Sequence, residues 1–511
     1  MSFLKRSLAF AAFSFVTLTS VSAANDVLSE LEPFVNEVMN ISHTPGVAIA
    51  IVKEGDVVLT RGFGVREAGT KKLVDEDTVF AIGSMSKNFT AIALGLLVEE
   101  GRLSWNAPLT QYVPGLRFSD PYLFSMLSLN DALSHRTGLE RADVAWFSKS
   151  GASRDEMLAV IERIQSEVPF RAGYLYNNFM YLAAGQAIPA VTDKSWDDFL
   201  EERLFASLKM RRTNTSAAVL TSMRNVATPH YLTDNEAIPT TYYNLDHMAP
   251  AGSINSTAQD MARWCQMQLA NGEFRGEQIV PEKVIDAVRE RKTFLPLKKT
   301  GHAGTHHNAY ALGLERKNYG DAHIAYEHGG AIQGMASTIV FIPEEKVCVA
   351  VLTNGESYAD VRTHVAYWIL DRLLGLDAGD YIGNFVEALE KRRKQRNGLR
   401  VLHNRSHDPA AMVAFDHTEM VGRFRSPLYG EIIINEVDGR LTSQFGTGNP
   451  SDLKPHRGLS FDLHTNDTAR ESAALAPVII TAVLNSRANV SAIELEFPGP
   501  QTDAIRFTRV D

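Results

Sequence analysis

The chain has 511 residues, 45% of them hydrophobic and 22% charged, with 35 Gly and 20 Pro. That length and composition suit two to four globular domains and exclude a disordered or collagenous chain. The net charge of −9 argues against nucleic acid as a partner. Two Cys residues, Cys265 and Cys348, exclude a disulfide-dense scaffold and a Cys-only zinc site.

Lys5 and Arg6 precede an apolar run from Leu8 to Leu18, and Val21-Ser22-Ala23 supplies a small-residue cleavage pattern. This layout predicts a secretory signal peptide over residues 1–23. The run falls short of the ~20 residues needed to span a bilayer, so no stable membrane span is expected after cleavage. Periplasmic or extracellular export follows.

Residues 27–40 carry Leu28, Leu31, Val35 and Val38 near helical spacing. Gly46–Val52 and Val57–Gly64 flank Gly55-Asp56 and predict an antiparallel hairpin. A long, largely buried helix is expected from about Ser84 to the stop at Gly101. Residues 105–305 read as a helical, loop-rich lobe. Strands return at Ala311–Glu315, Ala336–Ile342 and Val347–Thr353, and Ser357–Leu374 reads as a helix. Strands from both ends around a helical middle predict one sheet with an inserted lobe and a cleft between them.

The basic run Lys391, Arg392, Arg393, Lys394, Arg396 and Arg400 is read as a solvated helix end and linker. Short strands separated by turns, such as Glu431–Val437 and Arg440–Phe445 around Asp438-Gly439, then predict a sandwich or small barrel. The boundaries expected are 1–23, 24–380, a linker at 381–414, and a barrel at 415–511.

Three short motifs carry chemistry. Ser84 and Lys87 stand one helical turn apart, which places them on one face. A serine hydroxyl needs a base, and a lysine whose pKa is lowered by burial can serve. Tyr176-Asn177-Asn178 offers a proton relay and an amide able to hold Lys87 and substrate. His328-Gly329-Gly330-Ala331, placed just before a strand, allows close approach to backbone and offers an N–H to an oxyanion. Taken singly, each also reads as ordinary structure: a cap Ser, a helix N-terminal turn, a glycine turn beside a core His.

In this order the motifs resemble those of the serine β-lactamase and penicillin-binding-protein superfamily, nearest its class C β-lactamase, D-aminopeptidase and esterase branch. Gly62-Phe63-Gly64-Val65, Gly101-Arg102-Leu103-Ser104, Leu133-Ser134-His135-Arg136-Thr137-Gly138-Leu139 and Ala251-Gly252-Ser253-Ile254-Asn255-Ser256-Thr257 extend the likeness over residues 30–375. The resemblance implies an α/β (α+β) fold, a mostly antiparallel sheet flanked by helices with an all-helical lobe, and acyl-enzyme chemistry without metal or cofactor. Ser84 matches the nucleophile, Lys87 its activator and Tyr176 the proton shuttle. The N–H groups of Ser84 and Ala331 match the oxyanion hole, and Asn178, His328, Gly329 and Gly330 the substrate-binding positions. His328 stands where much of the superfamily has Lys. A His near its ordinary pKa of about 6.5 is mostly neutral at pH 7 and offers a substrate carboxylate less. Ester or amide substrates, small molecule or peptide, are therefore expected ahead of β-lactams or peptidoglycan termini.

Val421-Gly422-Arg423-Phe424, Tyr429-Gly430 and Asp438-Gly439-Arg440-Leu441 resemble the lipocalin-like barrel appended to some of these hydrolases. Homo-oligomerisation is left open. A non-catalytic envelope sensor is the competing class of function. His302, His306 and His307 cluster in a Gly-rich loop, and a metal is not expected there because no nearby Cys or well-spaced carboxylate completes a set. His135 is read as structural rather than as a triad base. Cys265 and Cys348 are read as either a disulfide or buried free thiols.

Overall fold

The computed structural model describes residues 27–149, 151–295, 309–320, 322–356, 360–376, 379–413, 416–446, 448–465, 476–498 and 503–510. The expected signal peptide and the 302–307 histidines lie outside the described residues.

The central sheet contains β1 (Gly46–Lys53), β2 (Asp56–Gly64), β3 (Thr293–Phe294), β4 (Ala309–Tyr310), β5 (Glu315–Tyr319), β6 (His323–Ile332), β7 (Met335–Ile342) and β8 (Val347–Thr353). Their order is β2-β1-β8-β7-β6-β5-β4-β3, and every pairing is antiparallel. Strands from the two ends of this part thus meet at β1–β8. The first hairpin turns at Glu54-Gly55, one residue before the predicted pair, because both have positive φ as a two-residue turn requires.

Helices cover both faces, which is why β1, β7 and β8 are almost continuously buried rather than alternating. Val47, Ile49 and Ile51 of β1 face helix α1 (residues 27–42) and α5 (Val361–Leu374), while Ala48, Ala50 and Val52 face the helical lobe. On that side lie α2 (Ser86–Glu99), α3 (Asn178–Gly185) and α4 (Ala258–Leu269).

Two strand predictions shift. Residues 311–314 form a turn rather than a strand: Ala311 N–H donates to the Leu314 carbonyl at 2.8 Å, and Gly313 has φ of +75°. Leu312 and Leu314 are thereby buried in the lobe-side core. His328–Ala331 lies inside β6 rather than before a strand. Glycine is required there by close approach, since a Cβ on Gly330 would stand 1.8 Å from the Ile82 carbonyl oxygen.

Cys265 of α4 and Cys348 of β8 form a disulfide that ties lobe to sheet, which decides between the two readings of these residues. Helix α6 (Tyr381–Ser406) buries Phe385 and Leu389 in the core shared by α1 and α5, so this stretch is packed structure rather than the solvated linker expected. Within its basic run Arg396 is buried and pairs with Asp234, and Arg392 pairs with Asp360 at 3.2 Å. Strands β9 (Gly422–Ser426), β10 (Gly430–Val437), β11 (Arg440–Phe445), β12 (Ser451–Arg457), β13 (Ser460–Thr465), β14 (Val478–Leu484), β15 (Val490–Glu496) and β16 (Ile505–Arg509) then close a barrel around its own apolar cluster. The barrel meets the lobe where Leu428 packs into the lobe core and Ser148 Oγ donates to the Tyr429 carbonyl at 2.8 Å.

Candidate active site

Ser84 sits in a 3-10 turn, Gly83–Met85, just ahead of α2. Its hydroxyl does not cap the helix. Ser86 Oγ instead donates to the Gly83 carbonyl at 2.7 Å and accepts from Ile254 N–H at 3.0 Å, which fixes the turn against the 251–257 segment. Ser84 Oγ is left 3.1 Å from Lys87 Nζ and 2.9 Å from the Tyr176 hydroxyl.

Lys87 is 0% exposed. Burial drives its pKa well below the ordinary lysine value, with the Asp143 carboxylate opposing the shift and Arg141 adding to it. Nζ donates to Asn178 Oδ1 at 2.8 Å and to the Ala251 carbonyl at 2.7 Å. When the amine is neutral, these two carbonyl oxygens take both of its hydrogens and its lone pair faces Ser84 Oγ. Tyr176 is pushed above the ordinary phenol range by burial, against a hydrogen bond to Ser84 that lowers it. It is thus a neutral phenol whose O–H donates to Ser84, leaving the serine proton for Lys87.

The Tyr176-Asn177-Asn178 turn is the N-terminus of α3. Asn177 is its cap, accepting from Met180 N–H at 3.1 Å, so its two neighbours are presented to the cleft. The turn that begins α3 is also what sets Tyr176 beside Ser84 and Asn178 beside Lys87.

On the opposite wall, β6 abuts the turn carrying Ser84. A Cβ on Gly83 would stand 2.8 Å from Ala331 N, and one on Gly329 would stand 3.3 Å from the Arg362 guanidinium. Arg362 also donates to the carbonyls of Gly330 and Ser337 and braces this strand from behind.

His328 departs from expectation. It is 6% exposed. Its Nε2 accepts from the buried Tyr310 hydroxyl at 2.9 Å, and Nδ1 lies 2.7 Å from the Gly329 carbonyl. Burial, with Lys87 adding, brings its pKa down to about 3 rather than leaving it near 6.5. The chain buries His328 because Tyr310 of β4 meets its ring edge-on, beside Tyr174 and His135. His135 is itself buried, and its Nδ1 accepts from Asn177 N–H at 3.1 Å, bridging two lobe segments.

Two site residues were not singled out from sequence. Asp143 Oδ1 accepts from Asn178 Nδ2 at 3.1 Å and from Trp146 Nε1 at 3.0 Å. Arg141 pairs with Asp143 at 2.6 Å, places its guanidinium carbon 5.0 Å from the centre of the Tyr176 ring, and keeps 52% of its side chain exposed. Both follow the Leu133–Leu139 stretch in a segment without periodicity, so only spacing from that stretch offered a signal.

Comparison with known proteins follows the same geometry. Unguisins hydrolase ungD' of Aspergillus campestris is 25% identical over 418 residues, 78% of this chain and 76% of that protein. Penicillin-binding protein 4 of Amycolatopsis lactamdurans is 26% identical over 341 residues, 65% of this chain and 87% of that protein. The octameric penicillin-binding protein homologue from Pyrococcus abyssi shares the fold, with a TM-score of 0.61 at 20% identity over 94% of this chain and 100% of that one. The profile of the Beta-lactamase family matches residues 31–374, more than half of the sequence, and the chain belongs to that family.

Proposed function

We propose that the protein is an exported serine hydrolase that cleaves an ester or amide through an acyl-enzyme, of the esterase or D-amino-acid peptidase type. The observation that carries this reading is the Ser84 hydroxyl held between Lys87 Nζ at 3.1 Å and the Tyr176 hydroxyl at 2.9 Å. Lys87 accepts the Ser84 proton as Oγ bonds to the substrate carbonyl carbon. The N–H groups of Ser84 and Ala331 hold the oxygen as it becomes anionic. The proton held by Lys87 reaches the departing alcohol or amine through the Tyr176 hydroxyl, which gives its own and regains that one, and water then attacks the acyl-enzyme by the reverse relay. Asn178, Gly329 and Gly330 line the approach to Ser84, with His328 behind them.

A neutral His328 favours substrates without a carboxylate at that wall. The disulfide fits an oxidising compartment and supports export. The separate apolar cluster of the barrel supports a division between residues 24–380 and 415–511. The relative named a hydrolase favours turnover over a purely sensory role.

Arg141 supports a second reading, β-lactamase or peptidoglycan carboxypeptidase, because its exposed guanidinium can meet a substrate carboxylate. The discriminating experiment compares kcat/KM for p-nitrophenyl esters, D- and L-aminoacyl amides and nitrocefin, alongside fluorophosphonate labelling. The first reading expects a Ser84 adduct and turnover of neutral esters or D-aminoacyl amides well ahead of nitrocefin. Nitrocefin ahead favours the second, and a lasting adduct on every substrate means a sensor.

A further inference from the structure

Three imidazoles and a carboxylate meet where α6 ends against the barrel. His403, in the last turn of α6, and His407, the residue that caps it, stand four positions apart at the helix end. His456 of β12 and Asp462 of β13 face them from a tight hairpin. One ligand atom from each of the four lies within 4.8 Å of all the others. Asp462 Oδ2 is 3.3 Å from His403 Nε2 and 3.1 Å from His407 Nδ1, and its Oδ1 is 3.0 Å from His456 Nδ1. Ligands about 2.0–2.1 Å from a tetrahedral zinc ion are roughly 3.3 Å from each other. Hydrogen bonds and ion pairs share that spacing, so the protons have to decide.

Ser406 Oγ donates to the His403 carbonyl at 2.7 Å, which spends its one proton. With that proton on the carbonyl, it accepts from His456 Nε2, 3.1 Å away. His456 therefore carries a hydrogen on Nε2, and in the neutral ring Nδ1 is a lone pair. That lone pair faces Asp462 Oδ1, another acceptor. His456 is 4% and Asp462 2% exposed, and neither of these two atoms has a hydrogen-bond partner among the described residues. Two buried acceptors in contact repel unless a cation lies between them. An imidazole oriented through its far nitrogen by an outer hydroxyl is also how metal-binding histidines are held.

We propose that His403, His407, His456 and Asp462 form a structural site for a divalent transition-metal ion of the zinc type, tying α6 to the barrel. Three imidazoles and one carboxylate suit zinc, cobalt or nickel, and lack the oxygen-only set of calcium or magnesium. Four protein ligands complete a tetrahedron and leave no open position for catalysis. His407, with 39% of its side chain exposed, gives the ion a way in.

The test uses the full exported chain without an affinity tag, stripped with a chelator and titrated with cobalt(II) and then zinc(II). One equivalent of zinc is expected to survive dialysis, with a higher Tm. Cobalt is expected to give the intense visible absorption of a four-coordinate ion, displaced by zinc. His407→Gln removes an exposed ligand without disturbing a core and is expected to weaken zinc binding at least ~10-fold. Ser406→Ala leaves all four ligands and is expected to weaken it ~10–100-fold. A stripped chain whose Tm ignores zinc, or equal zinc binding by His407→Gln, overturns the site. A Tm that responds to pH but not to zinc puts a proton in the cation's place and overturns it too.

Discussion

Asp143 accepts a hydrogen bond from Asn178 at 3.1 Å, and this contact fixes which end of the Asn178 amide faces Lys87. A carboxylate can only accept, so the NH₂ group must point to Asp143 and the carbonyl to Lys87 Nζ. Lys87 is thereby left one direction for its lone pair, toward Ser84.

Asp143→Ala frees that amide and is expected to lower kcat by up to about 10²-fold through misplacement. Asp143→Asn keeps an acceptor oxygen and is expected to lose much less. Both remove a negative charge that raises the Lys87 pKa, so the acid limb of the pH–rate profile should move to lower pH. Equal losses with an unmoved limb would reduce Asp143 to a packing role.

Ser84→Ala is expected to abolish turnover while the protein stays folded. Intact-mass analysis with a slow ester should place the adduct on Ser84, and an adduct on another residue defeats the assignment. Lys87→Met should cost roughly 10²–10⁴-fold. Lys87→Arg should not rescue it, because guanidinium keeps its proton near neutrality. Near-normal kinetics in Lys87→Arg would remove Lys87 as the base.

Burial of Lys87 has a thermodynamic sign. Its folded pKa lies below its unfolded value near 10.4. Between those values the unfolded chain binds the extra proton, so this lysine destabilises the fold most at the lower pH and the effect fades as pH rises toward 10.4. The Tm difference between Lys87→Met and the unaltered protein should therefore move in favour of the unaltered protein from pH 7 to pH 10. A pH-independent difference would mean that Lys87 is charged in the folded state.

His328, with its pKa near 3, stays neutral across the working range. The pH–rate profile should show no inflection near 6.5 attributable to it. His328→Gln should leave the profile's shape between pH 5 and 8 unchanged even if the rate falls. Loss of an inflection in that variant would show that His328 titrates.

Ending the chain after Ser406 keeps α6 with the core it packs on and removes the barrel. Cooperative unfolding should survive. Segment 143–148 loses Leu428 and the Ser148–Tyr429 hydrogen bond, so kcat on small esters should fall. Loss of a cooperative transition would mean that barrel and lobe share one core. Cys265→Ser with Cys348→Ser should cost about 2–5 kcal/mol, read by denaturant unfolding, because the bridge closes a loop of 83 residues.

The sequence by itself determined the local events. The Ser84–Lys87 spacing, the Asn177 cap that presents Tyr176 and Asn178, the apolar strands and the Asp438-Gly439 hairpin all depend on neighbours a few residues away. Tertiary structure decided whatever depends on what packs on top. His328 was visible as a residue, but its burial under Tyr310 turns a titrating group into a neutral one. Asp143 matters because folding sets it against Asn178, 35 residues on. Cys265 and Cys348 were two apolar thiols until α4 lay across β8. His403 and His407 sat in view at helical spacing, yet only barrel closure brought His456 and Asp462 against them. Propensity and periodicity act along the chain, whereas pKa, pairing and ligation depend on desolvation and on groups distant in sequence.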